Sequence, residues 1–331
     1  MRLELLPLDA AAGHILCHNL ADAQGRRVFA KGHGVRPQDL PRMAELGLRT
    51  VRVAVLEPDD VHENEAAHRL AVAVAGAGVC ATPAHAGRAN LRATYAGPLT
   101  VDADALFAIN DLDGLTVATL ASDSFVQPGR DLATIKIIPF AVPETDLCRA
   151  ESIGQAAGGV LRVRPLRLHR IGVVLVSSPA ARLRVERGVY PAITGRVVAL
   201  GGSILACHPV PLDASAVAEA VLTLRATGAE LIIIAGETSV MDLDDVTPNG
   251  IRRAGGRIEH YGAPVEPGNL LLLAYLNPPG DRAAPLPVLG TPGCVRSREA
   301  NIVDLLLPRL MAGEHVRRRD IVALGHGGLL G

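Results

Sequence analysis

Directly after the run Leu231–Ala235, LIIIA, stand Gly236, Glu237, Thr238 and Ser239, and then the carboxylates Asp242, Asp244 and Asp245. Side chains of these types at this spacing can do two kinds of chemistry. Hydroxyls and free amides hold oxyanions, whereas carboxylates accept from N–H groups or ligate a divalent cation. The apolar run, rich in β-branched isoleucine, predicts a strand buried on both faces that Gly236 ends. In an open α/β sheet, ligands bind beyond the carboxyl ends of the strands. A polar, acidic loop in that place is a candidate site. The same residue types also cap helices, and the loop could equally do no more than start the helix predicted near Asp245.

Composition narrows the chemistry. The chain has 331 residues, enough for two or three domains, with 49% hydrophobic residues, 20% charged residues and a net charge of −1. That balance excludes a protein that holds nucleic acid by bulk charge. Lysine occurs only as Lys31 and Lys136, so the C-terminal half has none for a Walker-type phosphate loop or a Schiff base. Cys17, Cys80, Cys148, Cys207 and Cys294 are far apart and odd in number, which supports neither a disulfide framework nor a zinc site and fits a reducing cytoplasm. Glu4 and Asp9 interrupt the N-terminal apolar stretch, and runs such as Leu270–Leu276 are too short to span a bilayer, so a soluble, cytoplasmic protein without membrane or nucleic-acid partners is expected. Glu65 and His68 have the i, i+3 spacing of carboxylate-bridged metal sites but lack a second such pair, and an exposed helix start is the better reading.

The elements that must position the loop follow from periodicity. Residues 1–80 read as a β-rich module with helices: a hairpin turns at Gln24–Gly25–Arg26, a helix runs from Pro37 to Leu46, and a second is opened by Pro58, Asp59 and Asp60. Residues 81–147 alternate like a small mixed β module, with one short helix around Asp104–Asp111 and a turn at Gln127–Arg130. Residues 148–164 read as a helical connector. From 165 to 315 strands and helices alternate, which predicts an α/β unit of three layers, α/β/α, with a mainly parallel sheet. Its elements are HRIGVVLVSS, one helix over about Ala180–Leu200, GSILACHPV, a helix over Ala214–Thr227 capped by Asp213, the strand Leu231–Ala235, RIEHYG, LLLLAYL, PLPVLG and the closing helix ANIVDLLLPRLMAG. The tail, 316–331, is glycine-rich and reads as a loop.

The loop Gly236-Glu237-Thr238-Ser239-Val240-Met241-Asp242-Leu243-Asp244 resembles the Gly-Gly-Val-Ser-Val-Gly-x-x-Asp loop of the molybdenum-cofactor biosynthesis domain, shared by molybdopterin adenylyltransferases and molybdopterin molybdotransferases. Glu266-Pro267-Gly268-Asn269 is similar to the family's later Pro-Gly turn, and Thr291-Pro292-Gly293-Cys294-Val295 to its Leu-Pro-Gly-Asn-Pro loop. The likeness covers about 165–315. The N-terminal stretches KGH and LEPDDVHENEAAHRLA resemble proteins described only as molybdopterin-binding. There are departures. Ser177-Ser178-Pro179-Ala180-Ala181-Arg182 replaces an acidic Thr-Gly-Asp-Glu-like turn, Glu237 replaces a glycine, and Glu266 and Asn269 stand where lysines are common.

This resemblance implies a protein that binds molybdopterin or the molybdenum cofactor and takes part in its biosynthesis or delivery. The alternative is an active adenylyl- or molybdotransferase using Mg²⁺ and ATP or molybdate, and a third reading is reuse of the domain for another nucleotide-like ligand. Ser177 and Ser178, with Pro179 opening a helix, are expected to hold a phosphate, aided by Arg182 and Arg296. Gly236, Glu237, Thr238, Ser239, Asp242, Asp244 and Asp245 would contact the pterin, with Pro267, Gly268, Thr291, Pro292, Gly293 and Ser297 closing the pocket. Asp242 and Asp244 are the possible Mg²⁺ ligands, and Asp244 takes the catalytic role if there is one. Molybdoenzymes or other cofactor-biosynthesis proteins are the implied partners, and the family's habits imply a homo-oligomer.

Overall fold

The computed structural model describes residues 1–277 and 284–330. The chain forms two units, one of Met1–Tyr95 with Leu99–Arg164, the other running from Pro165 onward and including Ala96–Pro98.

The first unit opens with β1 (Arg2–Pro7), β2 (Ile15–Leu16), β3 (Leu20–Ala21), β4 (Arg27–Phe29), α1 (Leu40–Glu45) and β5 (Thr50–Val55). β5 lies between β1 and β2, antiparallel to both, and β3 with β4 makes the hairpin expected about Gly25. β6 (Asp60–His62), α2 (Glu63–Val74), β7 (Val79–Ala81), β8 (Arg88–Ala93), β9 (Gly97–Val101), α3 (Ala103–Asn110) and β10 (Leu115–Thr119) follow. β11 (Phe125–Val126), β12 (Asp131–Ile137), β13 (Ala141–Pro143), α4 (Glu144–Ala156) and β14 (Leu161–Val163) complete the set. Ala66, Ala67, Leu70, Ala71 and Val74 of α2 share one core with Leu91, Ile135 and Leu147. Asp60 does not start α2 as its residue type predicts. It pairs with Pro143 in a short ladder, and the cap is His62, whose Nδ1 accepts from the Asn64 amide at 3.2 Å.

The second unit contains β15 (Arg170–Val176), α5 (Arg182–Gly188), α6 (Tyr190–Ala199), β16 (Ser203–Val210), α7 (Ala214–Ala226), β17 (Leu231–Gly236) and α8 (Val246–Arg253). β18 (Gly256–Tyr261), β19 (Leu272–Leu276), β20 (Leu286–Gly290), α9 (Ile302–Met311) and α10 (Arg318–Ala323) end it. Six strands form one sheet in the order β16-β15-β17-β20-β19-β18. The strand period of two sorts its core: Ile171, Val173, Leu175, Leu231 and Ile233 pack with α5, α6, α9 and α10, while Val174, Val176, Ile232 and Ile234 pack with α7 and α8. This is an α/β/α arrangement.

Two expectations need correction, whereas the sheet is mainly parallel as expected, with β19 antiparallel to both neighbours. No helix lies between β18 and β19, and a parallel return needs a crossover of a dozen or more residues. The single helix over Ala180–Leu200 is two, because Pro191 in the first turn of α6 has no N–H to continue α5. The tail is not wholly loop: Arg318–Ala323 is helical and buries Ile321. Gly331, the last residue assigned to the tail, lies outside the described residues.

Candidate functional site

The carboxyl ends of β15, β17 and β20 face one end of the second unit, and the loops leaving them carry most of the predicted residues. After β15, the Ser177 amide donates to the Val210 carbonyl at 3.0 Å, which continues the β15–β16 ladder by one residue. Pro179 is not the first helical residue. It sits in a turn in which the amides of Ala181 and Arg182 both donate to the Ser178 carbonyl at 3.1 Å, and α5 starts only at Arg182. Ser177, Ser178, Pro179 and Arg182 line a depression of about 210 Å³ together with Pro209, Val210 and Pro211 from the end of β16. The Arg182 guanidinium donates to Glu186 one turn on, at 2.8 Å.

After β17 the chain turns sharply. A Cβ on Gly236 would lie 2.9 Å from the Val176 carbonyl oxygen, so glycine is required where the loop crosses β15. The Glu237 amide donates to that same carbonyl at 3.0 Å, and its carboxylate accepts from the Ser178 hydroxyl at 2.8 Å. Gly236, Thr238, Ser239, Val240, Met241 and Asp245 contribute to a second depression of about 220 Å³, walled by Val176, Leu212, Val246 and Thr247.

The three aspartates behave differently from one another. Asp245 stands at the start of α8, but its side chain does not cap the helix. It turns back and accepts from the amides of Met241 at 2.6 Å and Asp242 at 3.1 Å. Asp242 accepts from the Asp244 amide at 2.7 Å. Asp244 has a side chain 90% exposed, 3.7 Å from Arg252, and is not part of the depression. Asp242 and Asp244, the expected Mg²⁺ ligands, both belong to the loop's own turn, and among the described residues no group of three or more His, Cys, Asp or Glu is placed to hold a metal ion.

The third loop joins the second. Ser239 Oγ accepts from the Gly293 amide at 2.7 Å, and Thr291 is buried, its amide donating to the Ile234 carbonyl at 2.9 Å. Pro292 precedes the 3-10 turn Gly293–Arg296, whose Arg296 donates back to the Gly293 carbonyl at 3.1 Å. Ser297 Oγ accepts from the Glu299 amide and lines neither depression. Pro267 and Gly268 lie elsewhere: the Pro267 carbonyl accepts from the Ile302 amide at 3.2 Å, and a Cβ on Gly268, at a φ of 142°, would meet Ile302 at 2.5 Å. They seat the start of α9 and line neither depression.

Two residues escaped the sequence reading. Arg196 of α6 has a side chain only 12% exposed. It binds Asp304 at 2.8 and 3.1 Å and donates to the carbonyls of Val295, Ser297 and Glu299 at 2.8, 3.0 and 3.2 Å. It holds the third loop's backbone against α9. Tyr261, at the end of β18, donates its hydroxyl to the Val240 carbonyl at 3.0 Å, and burial, with Asp245 and Asp242 nearby, raises its pKa so that it stays a donor. Neither partnership has a local signal, because each spans twenty or more residues of chain.

Residues 5–55 match a family model described as a domain of unknown function, DUF8806. No curated protein sequence matches. Among solved structures, the tungsten cofactor synthesizing protein MoaB from Pyrococcus furiosus is 17% identical, with 43% of this chain and 91% of that chain covered and a TM-score of 0.31. A molybdenum cofactor biosynthesis protein B is 11% identical, with 44% and 95% covered and a TM-score of 0.30. At these identities and scores the likeness carries no argument about activity. Among the described residues no helix is long and apolar enough to cross a membrane.

Proposed function

We propose that the second unit binds molybdopterin or the molybdenum cofactor and takes part in its biosynthesis or delivery. The observation that carries this reading is the 2.7 Å hydrogen bond from the Gly293 amide to Ser239 Oγ. It joins two loops whose motifs resemble the same family and which lie 54 residues apart in sequence. Both leave the carboxyl ends of parallel strands, where an α/β sheet opens to ligands. The hydroxyls of Ser177, Thr238 and Ser239 and the carboxylate of Asp245 line the neighbouring depressions and offer the donors and acceptors that a pterin requires.

Binding is favoured over nucleotide or molybdate transfer by the acidic residues' engagements. Asp242 and Asp245 accept from amides of their own loop, and Asp244 points into solvent beside Arg252. Transferase chemistry would require them to converge on a metal-bound oxyanion. An anaerobic titration with molybdopterin, read by pterin fluorescence, tests the reading, with ATP, Mg²⁺ and molybdate added afterwards and products separated. Saturable binding without a new product is expected. Absence of binding refutes the proposal, and turnover replaces it with the transferase reading.

A further inference from the structure

The turn after β15 commits most of its donors to other protein groups. The depression there is walled by Pro179, Pro209 and Pro211, none of which has an N–H. The amides of Ser177, Ala181 and Arg182 are engaged by the carbonyls of Val210 and Ser178, which leaves the Ser178 amide and the outer nitrogens of Arg182 as the donors on this side. Arg182 is shared with Glu186. The Ser178 hydroxyl gives its proton to the Glu237 carboxylate at 2.8 Å, so what it offers the depression is a lone pair. Ser177 is more than nine-tenths buried and lines the same depression. Its side chain adds a small hydroxyl to the lining.

We propose that Glu237 is a positioning residue which, by holding the Ser178 proton, makes this depression select a neutral N–H donor, such as the amino-lactam edge of a pterin, over an oxyanion. The proposal rests on the binding role assigned to this site above, and it reverses the phosphate-holding role that Ser177 and Ser178 are expected to have from the sequence. The carboxylate acts in two ways. It orients Ser178 as an acceptor, and it places a negative charge directly behind that hydroxyl, which disfavours phosphate. A glycine at this position would do neither.

Substitution Glu237→Gln is nearly isosteric and inverts the arrangement. The amide can donate to Ser178 Oγ, which frees the hydroxyl proton for the depression and removes the charge. The test is a fluorescence titration of the full chain with pterin lacking any phosphate, with inorganic phosphate as competitor. Wild type is expected to bind the pterin, with millimolar phosphate having no effect. In Glu237→Gln, pterin affinity should fall about tenfold, the scale of losing one charge-assisted acceptor, and phosphate should now compete. Ser178→Ala should lose pterin affinity without gaining phosphate competition. A merely structural role for Glu237 would lower both affinities together. The proposal fails if phosphate competes equally with pterin on wild type, if Glu237→Gln binds both probes as wild type does, or if Ser178→Ala gains phosphate competition. In each of these cases the binding reading stands. If wild type binds no pterin at all, the reading and the proposal fail together.

Discussion

Ser239 and Gly293 are in reciprocal dependence: the serine hydroxyl accepts the glycine amide at 2.7 Å, and a Cβ on the glycine would stand 3.0 Å from that hydroxyl oxygen. The contact needs a small acceptor on one loop and no side chain on the other. Ser239→Ala leaves the Gly293 amide without its partner in a half-buried place, at a cost of about 1–2 kcal/mol. Urea unfolding should show a lower midpoint with an unchanged slope, and pterin affinity should fall. An unaltered midpoint and affinity would mean that the loops are held together by other contacts.

Asp244 and Asp245 separate two ideas of how the acidic loop works. Motif position gives Asp244 the central role, whereas the structure puts its carboxylate in solvent and gives Asp245 the two amides that shape the loop. Asp244→Asn is therefore expected to leave pterin affinity within about twofold, since an exposed ion pair contributes little. Asp245→Ala should lower affinity about tenfold or more by releasing the amides of Met241 and Asp242. The opposite ranking in the same fluorescence titration would restore Asp244 to the site.

Much of the second unit was legible because one residue in two faces each side of a buried sheet. The runs Ile171–Val176 and Leu231–Ala235 divide between two cores by that period alone. Direction was not legible. LLAYL reads the same parallel or antiparallel, and only the lack of a helix before Leu272 decides it. The break at Pro191 has a local signal, but the apolar pattern continues through it and masks it. In the first unit, the Asp60 backbone is claimed by Pro143, more than eighty residues away, which overrides the helix-start chemistry of its side chain. The motif loops carry their signal locally, whereas Arg196 and Tyr261 act by long reach and leave no local pattern.

Arg196 is the test of that second kind of residue. Its guanidinium satisfies one carboxylate and four carbonyls, and removing it leaves Asp304 without its cation, with the Asn301 amide as its remaining donor. Arg196→Ala is expected to cost about 3 kcal/mol, because breaking a mostly buried pair costs more than the pair contributes. Arg196→Lys should recover only part of this, since an ammonium cannot reproduce the planar fork. Thermal unfolding of both variants checks it, and equal stability of Lys and Ala at this position would show that geometry plays no part.

The first unit makes an independent prediction about acid. Arg69 donates to Glu144 at 2.7 and 2.9 Å and to Glu151 at 2.8 and 2.9 Å, which ties α2 to α4. The Arg69 hydrogen bonds, with a smaller contribution from the Cys148 thiol, bring the Glu144 carboxyl down to about 2 from an ordinary 4.5. Because the folded state has the lower pKa, this stabilisation is fully present above the unfolded value and is lost as pH falls toward the folded one. Glu144→Gln should therefore unfold at lower denaturant than wild type at neutral pH. The gap between the two should hold down to about pH 5, narrow below that and close near pH 2. Glu151 keeps half of the bridge in the variant, and the exposed position of Glu144 keeps the gap small, so it is best read from paired denaturant midpoints. A gap that stays constant across the acid range would show that the carboxylate's charge is not what joins the helices.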